Sequence, residues 1–191
     1  QGVAWPGGNV SLAYTYPEGQ NKARGQLQAD QLDLAALRDM GLSLPLPDKW
    51  REHLQQQTLG GQVSALQWRW QGDWQAPATY DAQVKLQNLN LPPRQASGAA
   101  KRDAVQWPGV RGADTQITLN QDGGQMDVSL RQDGAVYLPG ILEDAEVRVQ
   151  ALSAKAVFKR EAQQWRVPEW KLQLSNADLQ GEWQGQWSPT A

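Results

Sequence analysis

Cysteine is absent, and His53 is the sole imidazole. Disulfides, thiol nucleophiles and thiolate metal sites are thereby excluded together. Phenylalanine occurs once, as Phe158, and basic residues do not cluster. With 18 Lys and Arg against 20 Asp and Glu the net charge is −2, so nucleic acid is not expected as a partner. No apolar run approaches the ~18 residues that a membrane helix needs. Neither an initiator methionine nor a signal peptide opens the chain. We expect a piece of a longer protein, with any targeting signals elsewhere in it.

What is present in excess is tryptophan, 10 residues, and glutamine, 27 residues. Glutamine is polar without charge and suits the solvated face of a strand that must not repel its neighbours. A length of 191 residues is enough for one large domain or two small ones with a real core. Period-two alternation runs through most of it and argues for strands with one buried face. Leu12, Tyr14 and Tyr16 alternate, then Leu27 and Ala29. Val63 and Ala65 are followed by a phase slip to Leu66, Trp68 and Trp70, which predicts a β-bulge or bend. Further alternation links Tyr80, Ala82, Val84 and Leu86, then Ile117 with Leu119, then Met126, Val128 and Leu130. Val147, Val149 and Ala151 read as one strand, Ala154 to Phe158 as the next, and Val167, Leu172 and Leu174 bracket a break at Pro168.

Helical spacing is confined to residues 33–57. Asp33 is placed as an N-cap and Gly41 as the stop of one helix; Trp50 and Leu54 pair on a second, from Asp48 to about Gln57. The stretch 120–124 (NQDGG) predicts a hairpin turn with glycines available for positive φ. Two prolines and a run of small residues make 92–103 a flexible loop. The whole chain therefore reads as a single β segment, 1–191, divisible into 1–91 and 104–191 around that loop.

Residues suited to chemistry are sparse. His53 stands beside Glu52 on the expected second helix and reads as solvated. Asp122 sits in a Gly-rich turn, where Asp is favoured for local hydrogen bonds. Glu143, Asp144 and Glu146 are close in sequence but lack the alternating oxygen ligands and central glycine of a calcium loop. Lys101-Arg102 and Lys159-Arg160 are isolated basic pairs, and Asn9-Val10-Ser11 is a bare glycosylation sequon. We expect no enzyme activity, no cofactor and no metal.

The tryptophans carry the sharper question. In SNADLQGEWQGQW, residues 175–187, the odd positions from Leu179 onward are Leu, Gly or Trp and the even ones are polar. Leu179, Trp183 and Trp187 then share one strand face and the glutamines the other, which weakens a sugar-stacking platform. Gly181 and Gly185 are expected to leave room for an acyl chain or to let the sheet bend. Strands with a continuous apolar face must be covered by helices, a second sheet or a ligand, and one or two short helices near 33–57 cover little. The expected fold is mainly β: a curved antiparallel sheet forming an open, groove-like half-barrel. Candidate groove residues are Leu119, Met126, Val128, Leu130, Val147, Val149, Phe158, Leu172, Leu174, Leu179, Trp183 and Trp187.

Several stretches carry a family resemblance: WPGVRGADTQITLNQDGGQMDVSL from Trp107, the LPGILED turn, and FKREAQQWRVPEWKLQLSNADLQGEWQGQW from Phe158. Upstream, DLAALRDMGLSLPLPDKWREHLQ and LGGQVSALQWRWQGDW add to it. Over about residues 30–187 the order and spacing resemble the repeat region of YhdP-type proteins, in the AsmA-like group of Gram-negative bacteria. The resemblance implies a periplasmic segment of a protein anchored in the inner membrane, with a hydrophobic groove linked to phospholipid movement and outer-membrane integrity. The implied partners are phospholipid acyl chains and neighbouring repeats of the parent chain. Each methylene kept from water is worth ~0.8 kcal/mol, so shielding a ~16-carbon chain is worth on the order of 10 kcal/mol. Two rival readings are a carbohydrate- or peptidoglycan-binding module and a purely structural β domain.

Overall fold

The computed structural model describes residues 7–16, 23–42, 59–73, 76–95, 106–138, 146–161 and 164–188. Strands hold 78 % of these residues, so the described core is built almost wholly by sheet. The strands are β1 (Asn9–Thr15), β2 (Arg24–Asp30), β3 (Leu32–Asp33), β4 (Gly60–Gly72), β5 (Pro77–Leu91), β6 (Arg94–Gln95), β7 (Gln106–Trp107), β8 (Gly109–Asn120), β9 (Gly123–Tyr137), β10 (Glu146–Arg148), β11 (Ala151–Glu161), β12 (Gln164–Ser175) and β13 (Gln180–Trp187). Eleven of them form one antiparallel sheet in the order β1-β2-β4-β5-β8-β9-β11-β12-β13. Strand β3 continues the line of β2 along β4, and β10 continues that of β11 along β9. The sheet is not closed into a barrel. Pairing of β5 with β8 makes both halves of the chain parts of this sheet. Within the expected loop at 92–103, Arg94–Gln95 pairs with Gln106–Trp107 as a separate ribbon, and residues 96–103 lie outside the described ones.

Helix α1 (Leu34–Leu42) follows β3 directly. Its N-cap is Asp33, as its position predicts: the Ala36 N–H donates to Asp33 Oδ1 at 2.8 Å. The helix runs one residue past Gly41, and the expected helix at 48–57 lies outside the described residues. Two hairpin turns use one device. Asn120 Oδ1 accepts from the N–H groups of Asp122 and Gly123 at 2.9 and 3.0 Å, and Asn176 Oδ1 accepts from Asp178 and Leu179 at 2.9 and 2.7 Å. Gly123 and Gly124 are not at positive φ. A Cβ there would strike the carbonyl oxygens of Phe158 and Thr118, so close backbone approach is what requires them.

A line of backbone irregularities crosses the sheet. It runs through Gln31 (φ 51°) between β2 and β3, Gly61 (118°) on β4, Asn88 (50°) on β5, Gly112 (76°) on β8 and Asp133 (79°) on β9. It ends in the gap between β10 and β11, which corrects the expectation of one strand from Val147 to Ala151. Register shifts mark it at Gly60/Gln62, Leu86/Leu89 and Arg111/Ala113. On β9 the residues between Leu130 and Ala135 stand opposite Gly112 alone. Bulges of this kind bend a strand and sharpen its twist, so a row of them creases the sheet. The orphaned amides are stitched: Asn88 N–H to Asp114 Oδ1 at 3.1 Å, Gly112 N–H to Asn90 Oδ1 at 3.1 Å, and Val149 N–H to the Gly134 carbonyl at 3.1 Å. Two further irregularities were legible in the sequence. The phase slip expected after Ala65 is found just before it, as a register shift between Val63 and Ala65. The break at Pro168 is a bulge between Val167 and Trp170 inside the continuous β12.

Burial concentrates at the crease. Of the 11 buried apolar residues described, eight flank it: Leu32, Val63, Leu89, Ala113, Leu130, Ala135, Val149 and Leu152. Beyond the line lies a short arm, carrying Leu91, Val110, Val136 and Val147. These pack on the same cluster as Val128, Leu172 and Leu174 of the long arm. Both arms thus line one apolar corner. Leu34 and Leu37 of α1 cover the neighbouring cluster of Ala29, Leu32 and Val63.

Candidate functional site: the apolar face

Register traces the apolar residues into ladders that run from strand to strand. One links Val10, Ala29, Leu66, Val84, Ile117, Met126, Ala156 and Trp170, reaching Gly185 on the ninth strand of the path. On its crease side a second joins Leu32, Val63, Leu86, Thr115, Val128, Ala154, Leu172 and Trp183. Nearest the crease, Leu89, Ala113, Leu130, Leu152 and Leu174 form a third. On the far side, Leu12, Leu27, Trp68, Ala82, Leu119, Gly124 and Phe158 form a fourth. Pairing at successive residues of period two puts every member on the same face.

The candidate residues from the sequence distribute over this face unevenly. Leu119, Met126, Val128, Leu130, Phe158, Leu172, Leu174 and Trp183 stand in the ladders. Trp187, opposite Val167, prolongs the period of Trp183. Val147 belongs to the short arm, Val149 is buried in the gap after β10, and Leu179 precedes β13 and is half exposed. The first half of the chain supplies as much of the face, through Leu12, Leu27, Leu66, Trp68 and Val84. Their alternation was equally visible in the sequence; the β5–β8 pairing that joins them to the rest was not.

Gly181 and Gly185 do not leave open space. A Cβ on Gly181 would fall on the ring of Trp183, and one on Gly185 would lie 2.8 Å from the ring of Trp170. Gly25 is covered by Trp70 in the same way. Each glycine makes room for an indole lying flat on the sheet, and this replaces the expectation of room for a ligand. Trp70 also stacks on Trp68, with centroids 4.5 Å apart, and meets Tyr14 at 6.4 Å. Among the described residues, two buried polar atoms on the apolar face have no protein partner: Trp70 Nε1 and Thr115 Oγ1.

The opposite face is polar. Ser11, Gln28, Gln67, Gln83, Thr118 and Gln125 form one ladder there. Ser153, Gln173 and Glu182 form a hydrogen-bonded chain across another. The Gln125 amide donates to Asp127 at 2.7 Å and Lys155 lies 3.1 Å away. Together they hold the Asp127 carboxyl below the usual carboxylate range, against the opposing effect of burial. Surface depressions of about 440 Å³ occur on this face, over Gly25 and over Gly181. Among the described residues no group of three acidic or imidazole side chains could hold a metal, and no helix is long and apolar enough to cross a membrane. Glu52, His53, Lys101, Arg102, Glu143 and Asp144 lie outside the described residues.

Large exposed apolar side chains occur at the two edges of the sheet. Val10, Leu12, Tyr14 and Tyr16 mark the β1 edge; Trp165, Leu179, Trp183 and Trp187 mark the β12–β13 edge. The apolar strip therefore runs out to both open edges. In comparison with known proteins, residues 1–189 match the family described as YhdP protein. No curated protein and no solved structure matches the chain.

Proposed function

This chain belongs to the YhdP family, and from that premise we propose that it is a segment of a bridge-like phospholipid-transfer protein. Its apolar face shields acyl chains in the periplasm between the inner and outer membranes. The observation that carries this reading is the set of apolar ladders, the longest crossing all nine strands of the path, with Thr115 as the one polar residue in them. A site for one tight ligand would be a closed pocket, whereas a conduit needs a strip of even affinity with no deep minimum. Four parallel ladders of aliphatic side chains, with Trp68, Phe158, Trp170 and Trp183 among them, provide that. No cofactor and no bond-making step is required.

The edges fit the same reading. Among the described residues, strands β1 and β13 each have one unpaired side, a template for further strands. Neighbouring repeats of an inner-membrane-anchored parent would extend the ladders on both sides. The test is recovery of phospholipid with the purified chain by mass spectrometry, compared with Leu12→Asp. Leu12 is 68 % exposed, so the charge lands on the strip with little cost to folding. Bound phospholipid should fall several-fold; unchanged recovery from a folded variant would refute the conduit. The exposed rings of Trp183 and Trp187 are the one observation favouring a glycan-binding module, and that reading demands saturable quenching of tryptophan fluorescence by glycans.

A further inference from the structure

The apolar face is chemically graded along the strands. From β4 to β12 the crease is aliphatic, with no aromatic ring in either buried cluster; the exception is on β13, where the Trp183 ring lies over Gly181 opposite Leu174. At the opposite strand ends lie Tyr14, Trp68, Trp70, Tyr80, Trp165 and Trp187, with Tyr14, Gly25, Trp70 and Tyr80 directly opposite one another across four strands. Charge, carried almost wholly by the opposite, polar face, follows a similar gradient. Near the crease, Arg111, Arg131 and Arg148 all face carboxylates. Near the aromatic end no ion pair joins Arg24, Arg69, Lys159 or Arg160 to another described residue, whereas Arg166 pairs with Glu161 at 3.2 Å; Asp81 and Asp122 are the further acids there. The orphan indole donor, Trp70 Nε1, is also at this end.

We propose that a glycerophospholipid lies on this face with its acyl chains along the strands, chain ends at the crease and head group at the aromatic end. The proposal rests on the lipid-transfer reading and adds an orientation to it. Trp and Tyr favour the level of lipid head groups, where one side of the ring is apolar and the other wet. The depth agrees. From Leu130 at the crease to Gly124 at the end of β9 the strand advances six residues, roughly 20 Å at ~3.4 Å per residue. One leaflet of hydrocarbon is about half of a ~30 Å core. Movement of lipid would then be sideways, from strand to strand, with the head group sliding along an aromatic rail. Thr115 Oγ1, one ladder from the crease, is the polar atom that would favour the reverse orientation.

The experiment uses two photoactivatable phosphatidylethanolamines, one reactive at the acyl terminus and one at the head group, each offered to the intact chain in mixed micelles. Labelled peptides are identified by mass spectrometry. The orientation requires terminal labelling around Leu130 and Leu152, and head-group labelling around Trp68, Trp70 or Trp187. The reverse pattern, or equal labelling of both ends by both probes, overturns the orientation and leaves lipid binding standing. Labelling of the face by neither probe overturns both. A second measurement uses Ala154→Phe, a partly buried site one ladder from the crease. It should weaken capture of distearoyl relative to dilauroyl lipid roughly tenfold, the equivalent of about two methylenes left unburied. An unchanged chain-length preference in the folded variant overturns the crease as the tail end.

Discussion

Single residues on this sheet act through what they let neighbours do. The tryptophan–glycine pairs were visible in the sequence as spacing, but spacing does not say what fills the gap above a glycine. The answer is the indole itself, held flat by the missing side chain. Gly185→Val should therefore lower stability by about 1–3 kcal/mol through overpacking, because its new atoms meet the Trp170 ring. Urea unfolding would read the loss without any lipid present. Thr115 has the opposite sign. Its hydroxyl is buried without a partner in an apolar ladder, so Thr115→Val removes a desolvation penalty and should raise stability by roughly 1–2 kcal/mol. A fall in the urea midpoint would show that the hydroxyl has a partner in solution.

At the scale of elements, alternation located nearly every strand of the described sheet, and Asp33 located the start of α1. The crease stayed hidden for a physical reason. Glycine is the usual signal of positive φ, yet three of the crease positions are Gln31, Asn88 and Asp133. Asn and Asp tolerate that region better than other side chains, but they recur all along the chain and so do not by themselves mark a line. Between elements, the cross-strand contact of Asp127 with Lys155 and its own-strand contact with Gln125 make β9 sensitive to acid. The folded carboxyl titrates below its ordinary value, so its contribution to stability is complete above the unfolded value of about 4 and is lost as pH falls through the lowered folded value. Asp127→Asn should flatten the dependence of unfolding free energy on pH below about 4. A wild-type slope in that variant would show that other carboxylates dominate.

At the scale of the molecule, stability is concentrated along one line. The buried residues flank the crease, whereas β1 is exposed along its whole length and β13 over most of its length. Hydrogen exchange should therefore protect the amides around Leu89, Ala113 and Leu130 most strongly, and those of β1 and β13 least. Equal protection across the sheet would mean that the edges are held by something other than their single neighbours. Composition foretold an open one-faced sheet: too little helix for so much alternation. It could not foretell that both halves share one sheet, because strand pairing depends on the partner's register and not on either strand alone.

The crease also has a mechanical consequence. It runs at right angles to the strands, and so parallel to the direction in which strands are added. A flat sheet is a ribbon that drapes easily along that direction. The same ribbon folded lengthwise resists drooping as an angle iron does, because material on two inclined flanges must be stretched or compressed together. A line of bulges that locally weakens each strand thus stiffens the assembly of strands, and a span built from such units could bridge a gap without a rigid core.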